Sequence, residues 1–327
     1  MYHQLKKIKI NDDYQWISVR TNCKNNPLLL YIHGGPGTPE LPFFKHYHQL
    51  LEDHFMVVNW DQRCAGKSFS IPVKKEKMNI SQFVRDLHEL TKSLCDLYNK
   101  DKIIIMGKSW GTVIGLIAVS KYPNLFHAYI GVSQLTHVMK TEQMMFDFAL
   151  QQAKKNDDTR TVTQLKTLSK SGPHQEWNYY KNGLLSRMKV YYLVKKFGGI
   201  HHNITSTDHQ FEQLIDLLSA LHPEYNLIDL IKYFFGNLFS VLLLNNELLQ
   251  VNLFEQVKEV NVPVYFLSGT YDMNCPASLV KDYYQSIKAP KKQLIWFDNS
   301  AHSPNREENK KFNETLIKIK KDIFESS

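Results

Sequence analysis

The stretch that decides the fold is Ile103-Ile104-Ile105-Met106-Gly107-Lys108-Ser109-Trp110-Gly111, which is followed by a helical pattern up to Lys121. The apolar run predicts a buried strand, and the pattern after Ser109 predicts a helix that stops before Pro123. A serine at the strand-to-helix turn, with glycine two residues away on either side, has the G-x-S-x-G form of a nucleophile elbow. Such a turn leaves no room for side chains at the glycines, and the helix N-terminus directs partial positive charge at the serine. We therefore expect Ser109 to be a nucleophile.

Strands and helices alternate along the chain around this elbow. The expected elements are a hairpin at 7–19, strands at 28–32, 55–60 and 129–132, and helices near 41–52, at 80–98 (capped by Asn79 or Ser81) and at 110–121. This order predicts an α/β fold whose mostly parallel central sheet has helices on both faces. From residue 134 to 258 strand signals stop and helical patterns dominate, so the chain divides into a core of residues 1–133 and 259–327 and an inserted helical cap of residues 134–258.

A serine hydroxyl needs a base and a group that orients the base, and both have candidates late in the chain. The strand-like runs 264–267 and 294–297 are followed by Asp272 and His302, respectively. Both residues, like Ser109, are at the carboxyl end of a predicted strand, where open α/β sheets form their active sites. We expect a catalytic triad of Ser109, Asp272 and His302. The competing acid Asp298 is only a few residues from His302 and is therefore poorly placed across the ring.

The segment His33-Gly34-Gly35-Pro36-Gly37 follows the predicted strand 28–32 and is a candidate oxyanion hole. Its glycines allow backbone N–H groups to approach a ligand closely. We assign the oxyanion hole to the backbone N–H groups of Gly35 and Trp110, the residue after the nucleophile.

Three segments together resemble a known family. They are HGGPG at 33–37, Trp60-Asp61-Gln62-Arg63-Cys64-Ala65-Gly66-Lys67-Ser68, and GKSWG at 107–111. They look like the N-terminal signatures of the prolyl aminopeptidase-like branch of the α/β-hydrolases, and the resemblance extends over roughly residues 1–135 and 258–327. It implies the α/β-hydrolase fold and a triad in the chain order serine, acid, histidine.

The signatures depart from the family pattern at two positions. Cys64 stands where the family usually has glycine, and Lys108 stands where histidine is common. Neither change removes a catalytic atom, and Lys108 is expected either to point to solvent or to meet a substrate anion. Asp61 and Arg63 are expected to form a structural network that braces the loop at 33–37.

The resemblance leaves the substrate open. Prolyl aminopeptidases hold the free amine of their substrate with cap glutamates, near a Trp-Glu pair and an aromatic Glu-Asn-His segment, and neither pattern occurs here. The cap glutamates are Glu142, Glu176, Glu212, Glu224 and Glu247. Relatives with the same motifs include esterases of large hydrophobic esters, among them macrolide lactones. We therefore expect a serine esterase that cleaves a bulky hydrophobic ester or lactone, with release of N-terminal proline from peptides as the alternative. A non-catalytic ligand-binding protein is the remote alternative.

The cap is rich in large apolar side chains. Most are expected to be core, and a minority to line an apolar cleft over Ser109. They include Met144, Met145, Phe146, Phe148, Trp177, Tyr179, Tyr180, Tyr191, Tyr192, Phe234, Phe235 and Phe239.

Composition argues against a nucleic-acid-binding, metal-dependent or membrane-spanning protein. The net charge is +8, but basic residues are scattered and no nucleic-acid-binding signature is present, so a small-molecule substrate is expected and a nucleic-acid partner is not. The four cysteines lack metal-site spacing, and His201-His202 is interpreted as a polar loop, so no metal or cofactor is expected.

Free thiols and the lack of a signal-peptide pattern predict a cytoplasmic enzyme. The apolar stretch 227–244 contains Asp229 and Lys232 and is expected to be a buried cap helix rather than a membrane span. Monomer and dimer stay open.

Overall fold

The computed structural model describes residues 2–169, 183–202 and 224–325. The strands are β1 (Tyr2–Ile10), β2 (Asp13–Thr21), β3 (Leu28–Ile32), β4 (Met56–Asp61), β5 (Ile103–Lys108), β6 (Phe126–Val132), β7 (Val264–Gly269) and β8 (Lys292–Phe297). The helices are α1 (Leu41–His48), α2 (Ile80–Tyr98), α3 (Trp110–Lys121), α4 (Val138–Lys155), α5 (Thr159–Ser169), α6 (Gly183–Lys196), α7 (Leu227–Leu248), α8 (Leu253–Gln256), α9 (Ala277–Ser286), α10 (Pro304–Glu307) and α11 (Asn309–Phe324).

The strands form one eight-stranded sheet in the order β1-β2-β4-β3-β5-β6-β7-β8. β1 and β2 pair as an antiparallel hairpin, and β2 pairs antiparallel with β4. All other neighbours are parallel, so the carboxyl ends of β3, β5, β6, β7 and β8 lie along the same edge. The expected mostly parallel sheet is confirmed.

Both faces of the central strands are buried, which explains their continuous apolar runs. In β3, Leu28, Leu30 and Ile32 belong to one apolar cluster, while Leu29 and Tyr31 belong to a second cluster on the opposite face. Residues of α2, α3 and α9 complete the first cluster, and residues of α1 and α11 complete the second. The sheet is therefore covered by helices on both sides.

Helix α2 shows how local sequence sets an element's limits. The Asn79 side chain accepts a hydrogen bond from the backbone N–H of Gln82 at 2.8 Å, so the N-cap is Asn79 and not Ser81. Asn99 ends the helix in the left-handed conformation, with φ of 49°. Between these residues, Phe83, Val84, Leu87, Leu90 and Leu94 are buried at helical spacing.

Between β6 and β7, the described residues form helices α4 to α8 and isolated bridges only, between His137 and Asn252 and between Glu259 and Lys288. Met145, Phe146 and Ala149 of α4 pack with Leu165 of α5 and Val190 of α6 in a small apolar cluster of their own. The interpretation of residues 134–258 as a separate cap stays a prediction. Trp177, Tyr179, Tyr180, Glu176 and Glu212 lie outside the described residues.

The expectation that α7 is buried is wrong. The helix is present, and by length and composition it is apolar enough to cross a membrane, but only 22% of its most apolar 18-residue window is buried. Its contact with the core depends on a small residue, because a Cβ at Gly236 would lie 2.5 Å from the backbone oxygen of Cys64. Large residues such as Phe234 and Phe235 on other faces are exposed. Likewise, of the nine large apolar residues expected in the cap that are described, only Met145 and Phe146 are buried.

Candidate active site

Ser109 occupies the sharp turn between β5 and α3. Its backbone has φ of 51° and ψ of −118°, a conformation that a non-glycine residue adopts only under strain. Its N–H donates to the backbone oxygen of Val132 on the neighbouring strand β6 at 3.0 Å. The strained turn is thus held by the sheet, and Trp110 begins the helix immediately after the serine.

The flanking glycines are required by close backbone contacts. A Cβ at Gly107 would lie 2.5 Å from the oxygen of Gly111, and a Cβ at Gly111 would lie 2.1 Å from the oxygen of Ile32. Real Cβ atoms do not approach backbone that closely, so the turn needs glycine at both positions. The pattern that predicts the elbow therefore has a direct steric cause.

Asp272 and His302 meet at the same edge of the sheet. Nδ1 of His302 lies 3.0 Å from Oδ2 of Asp272 and 3.2 Å from Oδ1. Asp272 is fully buried, and Oδ1 also accepts the backbone N–H groups of Asn274 and Cys275, each at 2.8 Å. The competing acid Asp298 is exposed and faces Lys311 at 3.5 Å. The geometry thus favours Asp272 over Asp298 as the partner of the imidazole.

Groups on other elements hold the loop that carries His302. The Glu307 carboxylate in α10 accepts the backbone N–H groups of Ala301 and Ser303, each at 3.1 Å. The Ser133 hydroxyl donates to the backbone oxygen of His302 at 3.1 Å, and the His302 N–H donates to the Ile200 oxygen at 3.0 Å. Glu307 was not predicted from the sequence, although its spacing from His302 could have suggested a local contact.

The loop at 33–37 lies against Ser109. A Cβ at Gly34 would be 3.3 Å from the Cβ of Ser109. Gly35 has φ of 115°, and a Cβ there would be 2.7 Å from the backbone nitrogens of Gly37 and Thr38. Only glycine therefore fits this position without strain.

The prediction that Asp61 and Arg63 brace this loop is wrong, because Gln62, the residue between them, makes the contacts with it. Gln62 Nε2 donates to the His33 oxygen at 2.9 Å, and Gln62 Oε1 accepts the indole N–H of Trp110 at 3.0 Å. Gln62 follows the last residue of β4, and its side chain thereby connects the His33 loop to the start of α3.

Asp61 and Arg63 bind elsewhere. Asp61 accepts the Tyr225 hydroxyl and the Lys67 backbone N–H, and burial, opposed by these hydrogen bonds, raises the pKa of Asp61 to about 7. Arg63 forms two hydrogen bonds with Asp86 of α2, at 2.8 and 3.1 Å. Each therefore joins distant parts of the chain.

Lys108 neither points to solvent nor is free to meet a substrate anion. It is buried, and its Nζ lies 2.7 Å from Oε1 of Glu40, whose other oxygen is 3.7 Å from Arg306. Burial alone would raise the pKa of Glu40, but the charges of Lys108 and Arg306 lower it to about 2. Burial lowers the pKa of Lys108, although Glu40 counteracts this. The residue that precedes Ser109 is thus part of a buried ion pair.

Cys275 and Asn274 complete the surroundings of the imidazole. Among the described residues, the hydrogen-bond partners of the His302 ring are Asp272 and Asn274, whose Nδ2 lies 2.9 Å from Nε2. Burial and then the charge of Asp272 keep the pKa of the Cys275 thiol well above its usual range, although an interaction with Ser109 opposes this. Neither residue was predicted from the sequence.

Donor atoms of Asp272, Cys275 and His302 lie within 4.8 Å of one another, as metal ligands would. The thiolate is the form that binds metals, and the raised pKa of Cys275 disfavours it. Asp272 and His302 are also bonded to each other. The three residues therefore fit a proton-transfer site better than a metal site.

The three cap glutamates that the structure describes are bonded to the protein. Glu142 pairs with Arg187 at 2.5 Å, and Glu224 pairs with Arg20 at 2.6 Å. Glu247 accepts the backbone N–H of Ile80 at 2.8 Å. These contacts hold elements together, and Glu142 and Glu224 already have an arginine as their cation partner.

Comparison with known proteins agrees with this geometry. The α/β hydrolase fold family matches residues 27–308. The chain is 32% identical over 312 residues to the probable aminopeptidase YbaC of Bacillus subtilis (strain 168), covering 95% of this chain and 94% of that protein. It is 25% identical to a proline iminopeptidase of Heyndrickxia coagulans, covering 86% and 85% of the two chains.

Solved structures share the fold at low sequence identity. A proline iminopeptidase-related protein from Thermus thermophilus superposes with a TM-score of 0.67 at 14% identity, covering 99% of this chain and 98% of that one. A proline iminopeptidase of Mycobacterium smegmatis gives a TM-score of 0.64 at 12% identity, covering 98% of both chains. With its elbow, its parallel sheet and these relatives, the chain belongs to the α/β hydrolase fold family, in its prolyl aminopeptidase-like branch.

Proposed function

We propose that this hydrolase is a serine hydrolase that forms an acyl-enzyme on Ser109. His302 removes the hydroxyl proton as the serine oxygen attacks a carbonyl carbon, and Asp272 holds the ring and stabilises its protonated form. The backbone N–H groups of Gly35 and Trp110 stabilise the oxyanion. His302 then protonates the leaving group. In the second half of the reaction, His302 takes a proton from the water that attacks the acyl-enzyme, and it returns that proton to Ser109 as the acid is released.

The observation that carries this proposal is the contact between His302 Nδ1 and the buried Asp272 carboxylate at 3.0 Å. A carboxylate accepts only, so Nδ1 carries the ring proton and Nε2 is the basic nitrogen. The strained backbone of Ser109 supports the same conclusion, since strain at a non-glycine residue is typical of a functional site. The chemistry needs no metal or cofactor.

For the substrate, we propose a peptide with a free N-terminus, cleaved as an aminopeptidase cleaves it. The support is the likeness to the probable aminopeptidase of B. subtilis over nearly the whole of both chains, together with the proline iminopeptidase of H. coagulans. This reverses the preference of the sequence analysis, which placed ester hydrolysis first.

Hydrolysis of a bulky hydrophobic ester remains the second candidate, because one observation favours it. Glu142 and Glu224 are each paired with an arginine, so neither offers an unpaired carboxylate as the amine anchor that an aminopeptidase needs. No contact in the described residues favours a macrolide over other esters. We keep the cytoplasm as the proposed location, on the free thiols of all four cysteines.

A side-by-side turnover assay tests both the proposed serine hydrolase mechanism and the proposed substrate. The substrates are a prolyl anilide, a short nitrophenyl ester and a 16-membered macrolide lactone, each with the wild type and Ser109→Ala. Turnover that is lost in Ser109→Ala supports the serine hydrolase, and cleavage of the anilide supports the aminopeptidase. Ester cleavage without anilide cleavage would move the proposal to the esterase. Near-normal rates in Ser109→Ala would contradict the proposal as a whole.

A further inference from the structure

Asn274 presents its side-chain amide to the basic nitrogen of His302. Its Nδ2 lies 2.9 Å from Nε2, while the ring's other nitrogen faces Asp272. Because Asp272 fixes the ring proton on Nδ1, Nε2 of the neutral imidazole has one in-plane lone pair. That lone pair accepts the hydrogen bond from the Asn274 amide.

The loop that carries Asn274 also carries Asp272 and Cys275. The same loop is fixed from behind, because Asp272 Oδ1 accepts the backbone N–H groups of both Asn274 and Cys275 at 2.8 Å. The Asn274 amide is therefore held where it meets the imidazole.

We propose that Asn274 is a positioning residue that occupies the Nε2 lone pair of His302 in the resting enzyme and competes there with Ser109. The inference rests on the proposed function, since it takes His302 as the base for Ser109. When Ser109 attacks, the Asn274 amide must turn away so that Nε2 can take the serine proton. The amide N–H also opposes protonation of the ring, because a protonated Nε2 has no lone pair to accept it.

Several titratable groups face the same imidazole. Asp272 and Cys275 lie on the loop after β7, and the Glu307 carboxylate on α10 accepts backbone N–H groups on both sides of the ring residue. Tyr191 of α6 is partly exposed, yet its pKa is raised, by desolvation of the part that is covered and then by the charge of Asp272. A substitution at Asn274 alters none of these side chains, so a change in pH dependence reports on the amide contact.

The test is the rate at which a fluorophosphonate labels Ser109, measured by intact-protein mass between pH 4.5 and 9. This rate depends on the activated serine and needs no knowledge of the natural substrate. The variants are Asn274→Leu, which keeps the size but removes the donor, and Asn274→Asp, which replaces the donor with a carboxylate. The matched control is Met273→Leu, a neighbouring change in the same loop that leaves the amide in place.

The inference predicts a defined pattern. In Asn274→Leu the plateau rate rises about 2- to 10-fold, the equivalent of one ordinary hydrogen bond. The acidic limb of its profile moves to higher pH by up to about one unit. At pH values below the acidic limbs of both profiles, the labelling rates of the wild type and Asn274→Leu coincide, because a protonated ring accepts no hydrogen bond from residue 274 in either protein. Asn274→Asp moves the limb further to higher pH, and Met273→Leu matches the wild type.

Two results are decisive against it and differ from each other. If wild-type Ser109 is labelled normally and Asn274→Leu has the same plateau and limb, or a lower plateau with an unmoved limb, this inference is wrong and the proposed function stands. If the wild type is not labelled on Ser109 at any pH, the proposed function is wrong and the inference falls with it.

Discussion

The buried pair of Lys108 and Glu40 gives a quantitative prediction about stability. Their charged atoms are 2.7 Å apart, and both side chains are less than 10% exposed. Lys108→Met keeps the length of the side chain and removes its charge. Glu40 would then be left buried with Arg306, at 3.7 Å, as its remaining cation.

The magnitude follows from the pKa of Glu40. A decrease from 4.5 to about 2 corresponds to about 3 kcal/mol of stability, of which Lys108 supplies the larger share. Burial lowers the pKa of Lys108, which means that burying the charged ammonium group destabilises the folded protein. The net contribution of the ion pair to the free energy of unfolding is therefore smaller. Removing Lys108 alone leaves the carboxylate uncompensated, and we expect a loss of about 3 kcal/mol at pH 7.

Thermal unfolding measures this loss. At about 2.1 cal/mol/K per residue, the unfolding entropy of 327 residues converts 3 kcal/mol to a fall in Tm of about 4 °C. The double variant Lys108→Met with Glu40→Gln should recover at least half of it, because the orphaned charge is gone. The matched control is Lys311→Met at the exposed pair with Asp298, which should shift Tm by less than about 1 °C.

The pH dependence has a definite sign. Because the pKa of Glu40 is lowered in the folded protein, its contribution is present above about pH 4.5 and is lost as pH falls towards 2. The difference between the wild type and Lys108→Met should therefore shrink over that range. Additive losses in the double variant, or a difference that is the same at pH 3 and pH 7, would refute the reasoning.

Three further predictions concern the elbow and its supports. Gly111→Ala would place a Cβ 2.1 Å from the oxygen of Ile32, so we expect loss of soluble folded protein, whereas a variant with wild-type Tm would contradict the steric account. Gln62→Leu removes the link between the His33 loop and the Trp110 indole, and should lower Ser109 labelling at least about 10-fold; an unchanged labelling rate would show that the loop needs no such brace. Burial raises the pKa of Asp61 from 3.8 to about 7, so the stability that its neutral carboxyl contributes is lost as pH rises through that range. Between pH 5 and pH 8, Asp61→Asn should therefore gain about 3 kcal/mol of stability relative to the wild type, and equal differences at both pH values would contradict this.

The elbow and the Asp272–His302 pair were predictable because they depend on local patterns. Strand ends, tight glycine turns and the order of polar residues along the chain place Ser109, Asp272 and His302 at one edge of a parallel sheet. The N-cap at Asn79 was predictable in the same way, since a cap bonds within its own first turn.

Contacts between distant parts of the chain were not predictable. Lys108 pairs with Glu40, 68 residues away, and Asp61 meets Tyr225, 164 residues away. One sequence contains no record of such distances. The exposure of α7 was missed because apolar composition alone does not show which face of a helix packs on the core.

The most direct test of the central claim is to locate the site of covalent labelling. The wild type is treated with a fluorophosphonate, digested and analysed by peptide mass mapping beside Ser109→Ala, Asp272→Asn and His302→Ala. We expect one label, on the peptide that contains Ser109, absent in Ser109→Ala and slowed at least about 100-fold in the other two variants. Labelling at another residue, or at Ser109 with a rate that does not depend on His302, would contradict the account.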